Sequence, residues 1–171
     1  MSDRTYHLCE FRLDDRRCYV VWYSNAHDGL VRSKDGKIAS FVDEPQACEF
    51  CRDVGIRLMA EPPVVYDFDA IETWCGSPAA GSIRSAAFLD AWNMLDDAHG
   101  FGSGAHSLYE IVSQRARELY EKLFLANNLP AMTPSDAHYE PVWSRDEIDL
   151  LSRIYRFGLT ELRANVRDGW S

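Results

Sequence analysis

The run Cys18-Tyr-Val-Val-Trp-Tyr23 restricts the fold more than any other stretch, because it is apolar at odd and even positions alike. A β-strand turns successive side chains to opposite faces, so a strand of this kind needs cover on both. We therefore read it as the central strand of a sheet. Tyr6–Leu13 supplies a preceding strand, and the polar Asp14-Asp15-Arg16 between them supplies the turn. Asn25–Gly29 holds the next turn, with Asp28-Gly29 as its signal, and Leu30–Ser33 and Lys37–Val42 flank Lys34-Asp35-Gly36 as a further hairpin. These pieces predict a four-stranded antiparallel meander, with Val64-Val65-Tyr66 as a short added edge strand behind the helix-breaking Pro62-Pro63.

The cover must come from amphipathic helices. Asp43 or Glu44 caps a short one that ends at Gly55, with Pro45 in its first turn and Ala47, Cys48, Cys51 and Val54 on one face. Asp67 caps a second, Phe68–Cys75, whose Phe68, Ile71, Trp74 and Cys75 form an apolar face. After the loop Gly76–Gly81, Ser82 opens Ile83–His99, with Phe88, Leu89, Trp92 and Leu95 on one side and Asp90, Asn93 and Asp97 on the other, Asp96 beside them. Gly100–Gly104 reverses the chain into Ala105–Asn127, the longest helical pattern. Its Tyr109, Val112, Ala116, Leu119, Tyr120, Leu123 and Phe124 recur at helical spacing until Asn127-Asn128-Leu129-Pro130 stops it. The loop Leu129–Trp143 is expected to be ordered by Met132, Tyr139, Val142 and Trp143. Ser144-Arg-Asp-Glu147 is a capping box, Trp143 and Ile148 form its hydrophobic staple, and Ile148, Leu151, Tyr155, Leu159, Leu162 and Val166 make the last stripe.

The fold class is thus α+β: the meander followed by a layer of three longer helices. The whole chain, 1–171, reads as a single domain in which residues 1–60 are β-rich, residues 61–81 connect and residues 82–171 are helical, a length that suits one core. An amino terminus reading MSDRTYHLCEF shows no leader, no apolar stretch is long enough to span a bilayer, and five scattered cysteines suit reduced thiols, so a cytoplasmic protein without membrane contact is expected.

Net charge is −9 and unevenly placed. Residues 61–100 hold seven acids against Arg84 alone, or −6, whereas residues 1–60 carry −1 and residues 101–171 carry −2. Such a face repels phosphate backbones, which disfavours nucleic acid, and steers a basic protein inward. Solubility alone is the other reading of the same acids.

Cys48-Glu-Phe-Cys51 lacks the second ligand pair that zinc requires, and both sulfurs lie on the apolar face of a helix, so core packing is the better reading. No phosphate loop, dinucleotide fingerprint or nucleophile elbow occurs, so neither a cofactor nor a catalytic residue is assigned. His99 and His106 flank the glycine-rich turn near Asp96 and Asp97, which keeps open a small metal-dependent hydrolase, though surface histidines satisfied by water or backbone fit as well. A homo-oligomeric structural or regulatory protein is the third possibility.

Ala91-Trp92-Asn93 with Asp96-Asp97, Tyr120-Glu-Lys-Leu-Phe124, Asn127-Asn128-Leu129-Pro130-Ala-Met-Thr-Pro134 and Tyr139-Glu-Pro-Val-Trp143 together resemble small bacterial proteins of a kind that includes immunity proteins of toxin–immunity pairs. The resemblance covers the carboxyl-terminal half and transfers no catalytic residue. It implies a small acidic cytoplasmic protein that blocks a cognate toxin domain, often a basic nuclease. With it, Asp67, Asp69, Glu72, Asp90, Asn93, Asp96 and Asp97 become the expected docking face, with Trp74 and Trp143 as aromatic anchors.

Overall fold

The computed structural model describes residues 4–99, 114–128 and 138–166, and in it the doubly apolar run is the middle of strand β2 (Arg16–Ser24). β1 (Thr5–Leu13) lies antiparallel on one edge of β2, from Thr5 opposite Ser24 to Leu13 opposite Arg16. Alternate side chains of this pair bury to opposite sides. Cys9, Phe11, Leu13, Cys18 and Val20 belong to the large core, and Leu8 and Val21 to a smaller one with Ala47 and Cys51. The requirement for two covering layers is met.

The meander itself is not what forms. β3 (Gly29–Leu30) and β4 (Ser40–Phe41) both pair with β2, at Trp22–Tyr23 and at Tyr19–Val20, so they share one edge of it. β5 (Val64–Asp67) lies parallel to β1 on the far side, giving a mixed five-stranded sheet in the order β3-β2-β1-β5. Two local facts account for the difference. The hairpin between β3 and β4 closes on itself, with the Ser33 amide donating to Lys37 O at 2.8 Å and Arg32 bridging Ile38, so it folds back beside β2. Helix α1 (Glu44–Asp53) then carries the chain over the face of Leu8 and Val21 to the free edge of β1. β4 and β5 consequently run in one direction, as a helical crossover requires.

The β1–β2 turn is tight, with Asp14 at φ 59° and Asp15 at φ 56°, both left-handed. Two such residues between antiparallel strands make a type I′ turn, which normally uses asparagine and glycine. Asp69 compensates, accepting the Asp14 amide at 2.7 Å and the Asp15 amide at 3.2 Å. Asp15→Gly should therefore raise stability by about 0.5 kcal/mol, read as a higher urea midpoint, by relieving the left-handed strain of a residue with a Cβ.

The local helix signals are realised. Asp43 accepts the Gln46 amide at the start of α1, and Asp67 accepts the Ala70 amide at the start of α2 (Phe68–Gly76), each at 2.9 Å. Cys51 is buried, Cys48 half-buried and Val54 exposed, so the apolar face of α1 stops one turn short of the prediction. Burial, then the neighbouring Cys48, pushes the Cys51 thiol up to about 11, which suits packing rather than reactivity. α3 (Ser85–His99) begins later than expected, because Ser82 ends a 3₁₀ turn (Ala80–Ser82) and donates its hydroxyl to Ala79 O at 3.0 Å rather than capping a helix.

Of the longest helical pattern, the described portion is α4 (Gln114–Leu125), with Ala116, Leu119 and Leu123 buried and Asn128 at φ 47° behind it. The glycine-rich turn, Tyr109, Val112, Met132 and the rest of segments 100–113 and 129–137 lie outside the described residues. The Val142 side chain is 85% exposed, though its carbonyl accepts from the Lys122 ammonium; Trp143 packs against the core, and Asn128 exchanges two hydrogen bonds with the Tyr139 backbone, at 2.7 and 3.0 Å. α5 (Arg145–Asn165) starts on the capping box, with the Glu147 amide on Ser144 Oγ at 3.2 Å and the Ser144 amide on Glu147 Oε2 at 2.7 Å. Gly158 lets it press on α3, since a Cβ there would stand 2.9 Å from Leu95 Cδ1. Among the described residues no helix is long and apolar enough to cross a membrane.

Candidate functional site

α3 packs across the sheet and touches both β3 and β5. Trp22 of β2, opposite His7 in register, and Tyr66 of β5, opposite Phe11, lie on the sheet face that α3 covers. Asp90, Asn93 and Asp97 recur at helical spacing on that flank. Together with Asp96, with Asp28 from the β2–β3 turn and with Tyr120 of α4, they enclose a cavity of about 470 Å³.

Specific bonds fix the walls. The Trp22 indole N–H donates to Asp97 Oδ2 at 2.8 Å, the Tyr120 hydroxyl donates to Asn93 Oδ1 at 3.0 Å, and Asp28 accepts the Asn25 amide at 3.0 Å. No ion pair reaches Asp28, Asp90 or Asp97 among the described residues. Burial raises the pKa of Asp90; burial also raises that of Asp97, the Trp22 N–H opposes it, and the charge of Asp28 adds to it. Tyr66 is pushed up as well, by burial first and then by Cys9, Asp90 and Asp97. Among the described residues no ion pair neutralises Asp28, Asp90 or Asp97, and the half-buried Asp97 carries its charge at a cost in stability.

Comparison with protein-family models, with curated proteins and with solved structures returned no match. What the cavity takes must therefore follow from its own chemistry.

No three His, Cys, Asp or Glu side chains stand close enough to hold a metal ion among the described residues. The carboxylates are spread around the wall, and a spread of acids between aromatic faces fits a broad organic cation, whose charge is delocalised or carried on an apolar stem. Of the histidine–aspartate arrangement, His99 lines a second cavity together with Asp97, its Nδ1 3.7 Å from Glu161 Oε2, and His106 lies outside the described residues.

The residues expected to form one docking face divide in two. Asp90, Asn93, Asp96 and Asp97 come together in the cavity. Asp67 caps α2, Asp69 holds the β1–β2 turn, and Glu72 shares Arg163 with Asp14 at 2.7 and 2.6 Å, so these three serve local structure. Trp74 is 6% exposed and donates its indole N–H to Ala79 O, which removes it as an exposed anchor. Trp143 is half-buried, with the Lys122 ammonium 4.9 Å above its ring. Sequence reasoning missed Trp22, Asp28, Tyr66 and Tyr120. Trp22 and Tyr120 read as core, Asp28 read as a turn residue, and nothing in the linear chain connects any of them to α3.

Proposed function

We propose that this is a non-catalytic binding protein whose acidic cavity receives a basic side chain of a protein partner, in the way an immunity protein occludes a cognate toxin domain. The observation that carries the reading is the set of carboxylates Asp28, Asp90 and Asp97, joined by no ion pair among the described residues, in one aromatic-walled cavity. An arginine entering there exchanges its hydration for two carboxylates and the ring faces of Trp22, Tyr66 or Tyr120, the environment in which charged hot-spot residues act. The surplus acids of residues 61–100 raise the encounter rate of a basic partner. In this reading α3, α4 and α5 form the layer that holds the cavity, and the protein acts in the cytoplasm, where its five free thiols stay reduced.

The test is titration against the product of the adjacent open reading frame, the natural candidate for a paired toxin. Replacing Asp90, Asp96 and Asp97 with lysine should lower its affinity by a factor of about 100, since each like-charge juxtaposition costs on the order of a kcal/mol or more, and should flatten the salt dependence. Unchanged affinity and unchanged salt slope would overturn the proposal.

A further inference from the structure

The acidic cavity has a neighbour. A second cavity, of about 750 Å³, adjoins it, and Asp28 and Asp97 line both. Past those two carboxylates the wall changes sign, with Arg4 and Arg32 beside the imidazoles of His27 and His99. Opposite charges in one partly enclosed space ordinarily collapse onto each other. Here they do not: among the described residues no ion pair joins Arg4 or Arg32 to Asp28 or Asp97.

Each group is held apart by a bond to something else. Arg32 donates to the carbonyls of Gly36 at 2.9 Å and Ala98 at 2.6 Å, which fixes its fork at the end of α3 with no carboxylate paired to it among the described residues. The Arg4 guanidinium lies 4.4 Å from the Tyr23 ring centroid. Asp97 is tethered by the Trp22 indole and Asp28 by the Asn25 amide. Neutral partners therefore position two signs of charge along one cleft, an arrangement that a ligand bearing both charges completes and a ligand bearing one does not.

We infer that the two cavities work as one dipolar cleft, taking a partner segment in which an arginine or lysine is followed closely by an aspartate or glutamate. The cation enters between Asp90 and Asp97, and the carboxylate turns toward Arg4 and Arg32. This rests on the binding reading above and narrows it, because a merely basic surface satisfies only half of the cleft.

Capped dipeptides test it on the intact protein, with the Trp22 indole N–H resonance as the reporter, assigned by its loss in Trp22→Phe. Acetyl-Arg-Glu-amide should bind about fivefold more tightly than acetyl-Arg-Gln-amide at equal ionic strength, the gain of one added charge-assisted contact. Arg4→Gln, a change at an exposed side chain, should erase that difference. Equal affinity of the two peptides would overturn the dipolar cleft while leaving the cation-binding reading standing, and so would acetyl-Gln-Glu-amide binding as tightly as acetyl-Arg-Glu-amide. If neither arginine peptide shifts the resonance, the cation-binding reading fails and the dipolar cleft fails with it.

Discussion

Trp92→Ala should destabilise the protein by about 3–5 kcal/mol, much of the stability of an ordinary domain. Trp92 is fully buried and meets Tyr155 and Tyr120 edge-on, with centroids 6.0 and 5.7 Å away, so it joins α3 to both later helices. Tyr155 continues the contact, packing edge-on against Phe88 at 5.3 Å and donating its hydroxyl to Phe88 O. The enclosing elements are helices that cannot collapse into the space the indole leaves, which puts the loss at the upper end for a large-to-small change. Urea denaturation should show a midpoint displaced far downward with an unchanged slope. Trp92→Phe, which keeps a ring in the same place, should recover more than half of the loss.

Asp90→Asn with Asp97→Asn should do the reverse and stabilise the fold. Both carboxyls have a folded pKa above the ordinary carboxylate value, so the folded state holds protons that the unfolded chain has released. Their contribution to stability therefore falls as pH rises through the carboxylate range, and at neutral pH the full cost is present. Glu10 and Asp14 behave oppositely. Hydrogen bonds from Arg12 and Arg163 hold them below the ordinary value, so their contribution is present at neutral pH and is lost as pH falls. Asparagine at position 97 still offers an oxygen to the Trp22 N–H while removing the charge that Asp28 repels. Thermal scans should show the double variant melting above the parent at neutral pH, with the gap closing below the carboxylate range. On the proposed reading, carboxylates that weaken the fold are kept in the cavity for the partner's cation.

What the sequence reveals here follows the range of the interactions. The caps at Asp43, Asp67 and Ser144 are legible because a side chain reaches an amide only three residues on. The burial of β2 on both faces is legible because strand periodicity is local as well. The parallel placement of β5 is not, since Val64–Asp67 pairs with β1 only after α1 has carried the chain across the sheet. The cavity is half legible: Asp90, Asn93 and Asp97 are visible as one flank of a helix, whereas the bond from Trp22 to Asp97 spans 75 residues. Asp67, Asp69 and Glu72 look like Asp90 and Asp97 in composition, and only the amides and the guanidinium facing them show that they support the backbone. Trp74 fails as an anchor for a related reason: periodicity puts it on the apolar face, and the indole has an internal acceptor in Ala79.

The most direct measurement combines the two properties in one protein: melting temperature and affinity for the proposed partner, the product of the adjacent open reading frame, both determined for Asp90→Asn with Asp97→Asn at neutral pH and moderate salt. The binding role of the cavity predicts that the melting temperature rises while the affinity falls by about tenfold or more, the equivalent of about 1.4 kcal/mol. A variant that is more stable and binds as tightly as the parent would contradict it, because the carboxylates would then weaken the fold without serving the partner.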